Sequence, residues 1–267
     1  MITDSCQRWT EGRESRRPAG ETIRTAEYEV APIGPLVAKA FVRAHHYSHE
    51  CSPTAHPFGL FHRAELAGVA VFGPTASKNA HAKIFPTLTQ KEAVTLGRLV
   101  LLDGVPANGE SWFVARCFEL LRGRGIVAVE SCADPIPRAG ADGRVVHHGH
   151  VGTIYQALSG RYVGRTNPAS LRLLPDGTIL SNRSQGKIFA DERGQTTPVN
   201  QLVRHGAPAP RADEDVEAWL RTWRRALTTA FRHKGNVRYV WSLSRRYRRE
   251  LEKLPALPYP KIATFAA

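Results

Sequence analysis

Hydrophobic and polar positions divide the chain into a polar first stretch, a long middle of alternating strand and helix patterns, and a last quarter where aromatic residues interleave with basic ones. Residues 1–25, with Arg13, Arg16, Arg17 and Pro18, show no period and predict a disordered basic tail. Tyr28 to Pro32 reads as a short strand. Leu36, Val37, Ala40, Phe41 and Ala44 then share one face of a helix that ends near His46. Phe58 to Phe61 and Leu66 to Phe72, separated by the polar bend His62 to Glu65, read as a β-hairpin.

The clearest unit follows. Leu96 to Leu102 is a β-rich run, Asp103 to Gly109 is turn-forming, and Ser111 to Arg122 carries helical spacing in Trp112, Ala115, Phe118 and Leu121. After a Gly123 to Gly125 stop come a strand, Ile126 to Ala133, a Pro- and Gly-rich loop, a short helix, Val151 to Leu158, and a strand near Tyr162. This alternation implies an α/β sheet with crossover helices. A second hairpin pairs Leu171 to Leu174 with Thr178 to Leu180 around Pro175, Asp176 and Gly177. Beyond Pro208 and Pro210, Asp213 suits the N-cap of a helix bearing Val216, Trp219, Leu220, Trp223, Leu227 and Phe231 on one side. The expected division is a tail (1–25), a catalytic α/β domain (26–190) and a basic helical extension packed on it (191–267).

Charge changes the picture. The 267 residues carry 37 Lys and Arg against 24 Asp and Glu, a formal net charge of +13, which favours a polyanionic partner over a neutral one. Nucleic acid leads, with an anionic membrane or plain solubility as the plainer explanations. Ten Lys or Arg and no Asp or Glu lie between Ala218 and Arg249, with Trp219, Trp223, Tyr239, Trp241 and Tyr247 among them. Arg221, Arg224, Arg225, Arg245, Arg246, Arg248 and Arg249 are therefore candidates for phosphate contact, and Trp219 and Trp223 for core. Four cysteines without a CxxC pair, and no signal peptide or apolar run of membrane-spanning length, point to a reducing cytoplasm.

Two polar clusters stand where loops leave regular elements. One is His45, His46, Tyr47, Ser48 and His49, with Cys51 and His56 nearby. The other is Asp134 and Arg138 with His147, His148 and His150, just past the carboxyl end of a strand, where open α/β sheets bind ligands. Meeting in one crevice, they would supply imidazole, carboxylate and phenol for proton transfer, or a His and Asp metal site from His46, Asp134 and His150. For each histidine singly, a solvated loop residue is the plainer reading.

The strand, turn and helix over Leu96 to Arg122 resemble the central motif of GNAT-type acyltransferases, where amides at a helix N-terminus hold a cofactor pyrophosphate. Here the loop has only Gly109 and sets Glu110 beside that anion position, so a plain βα turn is the alternative. Gly152 to Leu158 is similar to the GNAT helix whose tyrosine lies near the thioester, which makes Tyr155 a candidate general acid or a packing aromatic.

Together, His46-Tyr47-Ser48, Gly97 to Asp103, Asn108 to Phe113, Ala133-Asp134-Pro135, Gly149 to Ala157 and Leu257 to Lys261 resemble the Mom family of phage DNA-modification proteins. The resemblance implies a GNAT-like mixed, strongly twisted sheet flanked by helices. It further implies an enzyme of the infected host's cytoplasm that attaches a carbamoylmethyl-type group to the N6 amine of adenine, protecting DNA from restriction. It points to His46, Tyr47, Asp134 and Tyr155 as catalytic residues and Arg98, Asn108, Gly109, Glu110, Ser111 and Gly152 as cofactor-binding ones. The donor would be acetyl-CoA or another activated small-molecule or carrier-bound acyl donor, with a divalent metal such as iron a further expectation. DNA would enter as a duplex with a flipped base or as a single strand. Competing readings are a GNAT N-acetyltransferase of a protein or small amine, and a non-catalytic DNA-binding module.

Overall fold

A computed structural model describes residues 5–18, 20–192 and 194–261. Its strands and helices run in the order β1 (Ser5–Thr10), β2 (Arg13–Pro18), β3 (Tyr28–Pro32), α1 (Pro35–His45), β4 (His56–His62), β5 (Glu65–Gly73), α2 (Lys78–Ile84), β6 (Ala93–Leu101), α3 (Gly109–Gly123), β7 (Ala128–Ala133), β8 (Arg138–Ala139) and β9 (Val145–His147). They continue with α4 (Thr153–Ala157), β10 (Arg161–Arg165), β11 (Ala169–Leu173), β12 (Ile179–Leu180), α5 (Asn182–Phe189), α6 (Thr196–Arg204), α7 (Val216–Leu227), β13 (Thr229–His233), β14 (Val237–Ser242) and α8 (Arg245–Glu252). Two units result. One takes in the described residues up to Pro135, His150–Thr166 and those from Asn236, and the other Ile136–Gly149 and Asn167–Gly235.

The first unit is built on a seven-stranded sheet of order β10-β14-β7-β6-β5-β4-β3. Its neighbours are antiparallel except β6 and β7, which run parallel because α3 carries the chain back between them. The sheet is covered on both faces, so its strands read as nearly continuous apolar runs. On one face Phe113, Val114, Cys117, Phe118 and Leu121 of α3 pack on Phe58, Leu60, Phe72, Leu96 and Val129. On the other, Ala38 and Val42 of α1 meet Val69, Val71 and Val100, while Phe85 and Tyr247 meet Ala128 and Val240. The expected apolar face of α1 is not its buried face: Leu36 is 82% and Val37 50% exposed, and Ala38 and Val42, one turn apart, take the sheet instead.

The predicted division is corrected at two places. Residues 191–267 are not an extension. β14 lies inside the sheet between β10 and β7, with Val237, Tyr239 and Trp241 on the α3 face and Val240 on the other, a strand alternation hidden among arginines. Nor is 1–25 a loose tail: β1 and β2 form an antiparallel hairpin, and only residues 1–4 and 19 of that stretch lie outside the described ones. Its Arg8 side chain is fully buried. The guanidinium donates to Val105 O at 2.9 Å, Pro106 O at 2.6 Å and Gln7 O at 2.8 Å, and pairs with the Glu110 carboxylate. At the hairpin turn the Gly12 amide donates to His45 O at 2.9 Å, and the Thr10 hydroxyl reaches Asp103 at 3.1 Å. Aperiodic polarity concealed this because the inward position carries a charge, satisfied by loop carbonyls and one carboxylate.

The second unit holds a three-stranded antiparallel sheet, β12-β11-β13, the short β8 and β9 pair, and α5, α6 and α7 around Leu174, Leu180, Ile188, Leu202, Trp219 and Leu220. Trp219 is core, as expected, and its indole N–H donates to Pro208 O at 3.0 Å. The N-cap of α7 is Asp215, not Asp213. Its carboxylate accepts from the Glu217 and Ala218 amides, and the helix ends at Leu227, which leaves Phe231 on β13. Among the described residues no helix is long and apolar enough to cross a membrane.

Removing Arg8 would strand the largely buried Glu110 carboxylate and three carbonyls. Arg8→Ala should therefore lower stability by about 3 kcal/mol in chemical denaturation. A loss under about 1 kcal/mol would return the hairpin to the status of a loose tail.

Candidate functional site

The two parallel strands part. β6 and β7 pair from Ala93 and Ala128 up to Leu96 and Ser131; beyond that β6 pairs only with β5 and β7 only with β14. The Ser131 hydroxyl donates to Leu96 O at 2.9 Å and so marks the last tie across the gap. Because the sheet opens here, groups from its two faces come within reach of each other.

From one face comes the segment after α1. It crosses the strands where side chains are missing: a Cβ at Gly97 would overlap the Ser52 side chain, and one at Gly73 would overlap Pro53. Arg98 fastens it, donating from Nε to Glu50 O at 2.8 Å and from Nη1 to Gly97 O at 2.6 Å. On this segment His46 is buried and its ring lies 4.3 Å from that of Tyr47, with Trp9 of the hairpin 5.6 Å from His46 and 5.1 Å from Tyr47. The Ser48 amide donates to His46 Nδ1 at 3.1 Å. The Ser48 hydroxyl lies 2.8 Å from the same nitrogen.

From the other face comes Tyr155 on α4. It packs edge-on against Tyr239 and Trp241, at 5.5 and 5.6 Å, and Gly152 makes this approach possible. Gly152 has a left-handed φ of 73°, and a Cβ there would sit 2.5 Å from Tyr155 and 3.0 Å from Tyr239. Gly152 is therefore required for this packing. Burial pushes the Tyr155 phenol up to about 12, while Ser131 and Arg98 pull the other way and Tyr47 lies close enough to add to the rise. At that value the phenol keeps its proton and acts as a hydrogen-bond donor. Cys132 beside it is likewise held as a thiol, its pKa raised to about 11 by burial and by Glu130.

Asp134 follows the last residue of β7, partly exposed, and its carbonyl accepts from the His150 amide at 2.8 Å. Tyr47 and Arg98 thus lie within electrostatic range of Tyr155, with the His46 ring tilted against Tyr47 and Asp134 at the adjoining strand end. Among the described residues no three His, Cys, Asp or Glu side chains gather as metal ligands, so His46, Asp134 and His150 do not form the expected metal group. The loop ahead of α3 is partly committed to the fold. The Val105, Ala107 and Gly109 amides are taken by Leu102 O, Glu21 O and Pro106 O, Pro106 has none, and Glu110 stands at the helix start braced by Arg8. Asn108, Gly109, Glu110 and Ser111 instead build a helix start, with Asn108 at a left-handed φ of 63° and the Ser111 hydroxyl bonded back to Asn108 O at 3.1 Å.

The arginine candidates separate. Arg245, Arg246, Arg248 and Arg249 are exposed on α8 around the buried Tyr247. On α7, Arg225 is exposed, Arg221 is paired with Glu217 at 3.0 Å, and the half-buried Arg224 donates to Gln185 at 3.3 Å, which removes it from phosphate contact. Reading the sequence missed Arg8, Trp9 and Ser131. It also missed the buried ion pair of Arg238 with Glu130, 3.4 Å apart across β14 and β7, where Thr95 donates to Glu130 at 2.9 Å.

Tyr155, Tyr239 and Tyr247 are all pushed up to about 12, chiefly by burial. Below pH 10 they are protonated whether the chain is folded or not; between pH 10 and about 12 the unfolded chain ionises first, so these residues cost stability as pH rises through that window. Absorbance at 295 nm after a stopped-flow jump to pH 11 should show part of the chain's seven tyrosines still un-ionised, with one fewer in Tyr155→Phe. Simultaneous ionisation of all seven near pH 10 would contradict the buried cluster.

Solved structures that overlay the chain include a tandem GNAT protein from the clavulanic acid biosynthesis pathway, at TM-score 0.42 and 9% identity over 82% of this chain and 99% of that one. An N-acetyltransferase from Staphylococcus aureus Mu50 overlays at TM-score 0.35 and 8% identity, covering 81% and 99%. A GNAT-like decarboxylase in complex with isobutyryl-CoA overlays at 0.33 and 12%, covering 81% and 100%. No curated protein matches. The model of the Mom protein family matches residues 27–261, from β3 through the segment after α8, and the chain belongs to that family.

Proposed function

We propose that this protein modifies DNA, transferring a carbamoylmethyl-type group from an activated acyl-derived donor to the N6 amine of adenine where β6 and β7 part. The observation that carries the reading is the meeting of Tyr47, Arg98 and Tyr155 at that opening, beside Asp134, in a chain of the Mom family. The net charge of +13 suits a polyanionic substrate.

The exocyclic amine of adenine is a weak nucleophile because its lone pair is delocalised into the ring, so its attack needs orientation and removal of a proton. Asp134, partly exposed just past the end of β7, is the group for that proton. As the new bond forms at N6, the bond to the leaving group breaks and negative charge grows on the departing atom. The Tyr155 phenol and the Arg98 cation face that charge and stabilise it by hydrogen bonding and attraction. A base in a duplex reaches such a recess only by leaving the stack, at a cost of a few kcal/mol.

Expression in a bacterium followed by mass spectrometry of digested DNA nucleosides tests the reading. A modified adenosine should appear with the native chain, fall by about a hundredfold or more with Asp134→Ala, and fall less with Tyr155→Phe, which keeps the packing and loses the donor. An unmodified adenine pool under good expression would sink it. Calorimetric binding of acetyl-CoA with acetylation of a simple amine in the absence of DNA would instead favour an N-acetyltransferase.

A further inference from the structure

Outside the opening, the surface feature with the most pronounced chemistry is basic, and it joins α8 to an element whose charge drew no notice in the sequence. α2 and the turn after it, residues 77–91, contain Lys78, Lys83 and Lys91 and no Asp or Glu. All three lysines are exposed, as are Arg245, Arg246, Arg248 and Arg249 of α8. The two helices are fastened side by side: the Tyr247 hydroxyl donates to Ile84 O at 3.2 Å and its ring lies 6.0 Å from that of Phe85. Arg246 is close enough to Glu92, at the end of that turn, to help hold its carboxyl below the usual range, behind the larger effect of the Thr89 amide and hydroxyl.

Several arginines elsewhere on the surface have carboxylates beside them, such as Arg116 with Glu119 at 2.8 Å, Arg183 with Glu192 at 2.7 Å and Arg221 with Glu217 at 3.0 Å. Among the described residues, none of the seven cations of α2 and α8 joins an ion pair. Of the nearby acids, Glu92 is bonded to Thr89 and Glu250 to Lys253 at 2.8 Å, while Glu252 stands exposed at the far end of α8. α8 is also rigidly held for an exposed helix, since Ser244 caps its start and the Arg161 guanidinium donates to the carbonyls of Glu252 and Leu254 past its end.

We infer that α2 and α8 together form the surface that grips the nucleic-acid backbone, and that α7 does not. The inference rests on DNA being the substrate and goes beyond it by choosing the face. Tyr247 and Phe85 pack on Ala128, where β7 begins, whereas the strands part at Ser131, three residues further along and therefore roughly 10 Å away. Cations at that spacing engage phosphates flanking the target nucleotide and leave the opening to the base. Counterions released from those phosphates make the binding steeply salt-dependent.

The test is fluorescence anisotropy of a labelled DNA duplex with the full chain over a series of salt concentrations. The native protein should show a steep linear fall of log K with log salt. Lys78→Gln/Lys83→Gln/Lys91→Gln should reduce that slope by about two to three, near 0.9 for each cation lost, and Arg245→Gln/Arg248→Gln by about two, while Arg221→Gln/Arg225→Gln changes it by less than one. A steep native slope that survives both α2 and α8 variants, or that drops with the α7 variant, would overturn the choice of face and leave the DNA reading standing. A native chain that fails to bind the duplex at low salt would overturn both.

Discussion

The chain's chemistry depends on one break in hydrogen bonding. Two parallel strands held together over four residue pairs separate after Leu96 and Ser131, and each then follows its antiparallel neighbour. A continuous sheet would keep the groups of its two faces apart. The opening lets Tyr47, from the segment beyond α1, act on the Tyr155 phenol that α4 presents from the α3 side. Glycines where chain crosses chain, Gly73 and Gly97 under the first segment and Gly152 under Tyr155, allow both approaches at close range.

Much of the frame was legible in the sequence because both faces of the sheet are covered. Buried strands leave apolar runs at β4, β5, β6 and β7, and α3 shows its spacing between a turn and a glycine stop. What escaped is where charge and core coincide. Arg8 occupies an inward strand position, so β1 has no apolar period to detect. In β14 the alternation Val237, Tyr239, Trp241 is interrupted by Arg238, whose charge is balanced by Glu130 on the adjacent strand, a pairing no local pattern reveals. α1 misleads in the opposite way: its more apolar face is the exposed one, since the contact with the sheet falls on Ala38 and Val42.

At the site itself, residue types were readable and their states were not. His46, Tyr47, Asp134 and Tyr155 stand out as chemistry-bearing residues near loop ends, but only burial makes Tyr155 a persistent donor. In the loop before α3, the Val105, Ala107 and Gly109 amides are spent on Leu102, Glu21 and Pro106, which no local pattern reveals. The hairpin behind that arrangement precedes residue 27, where the match to the family begins. Trp9 and Arg8 tie it to His46 and to the start of α3 respectively.

Photocrosslinking bears most directly on whether a nucleobase enters between the parted strands. A duplex carrying 8-azidoadenine, irradiated on the native protein and mapped by peptide mass spectrometry, should attach to residues 46–54, 97–99 or 151–158. Attachment confined to α7, α8 or the outer edge strand β3 would show that the base stays outside the opening and contradict the account.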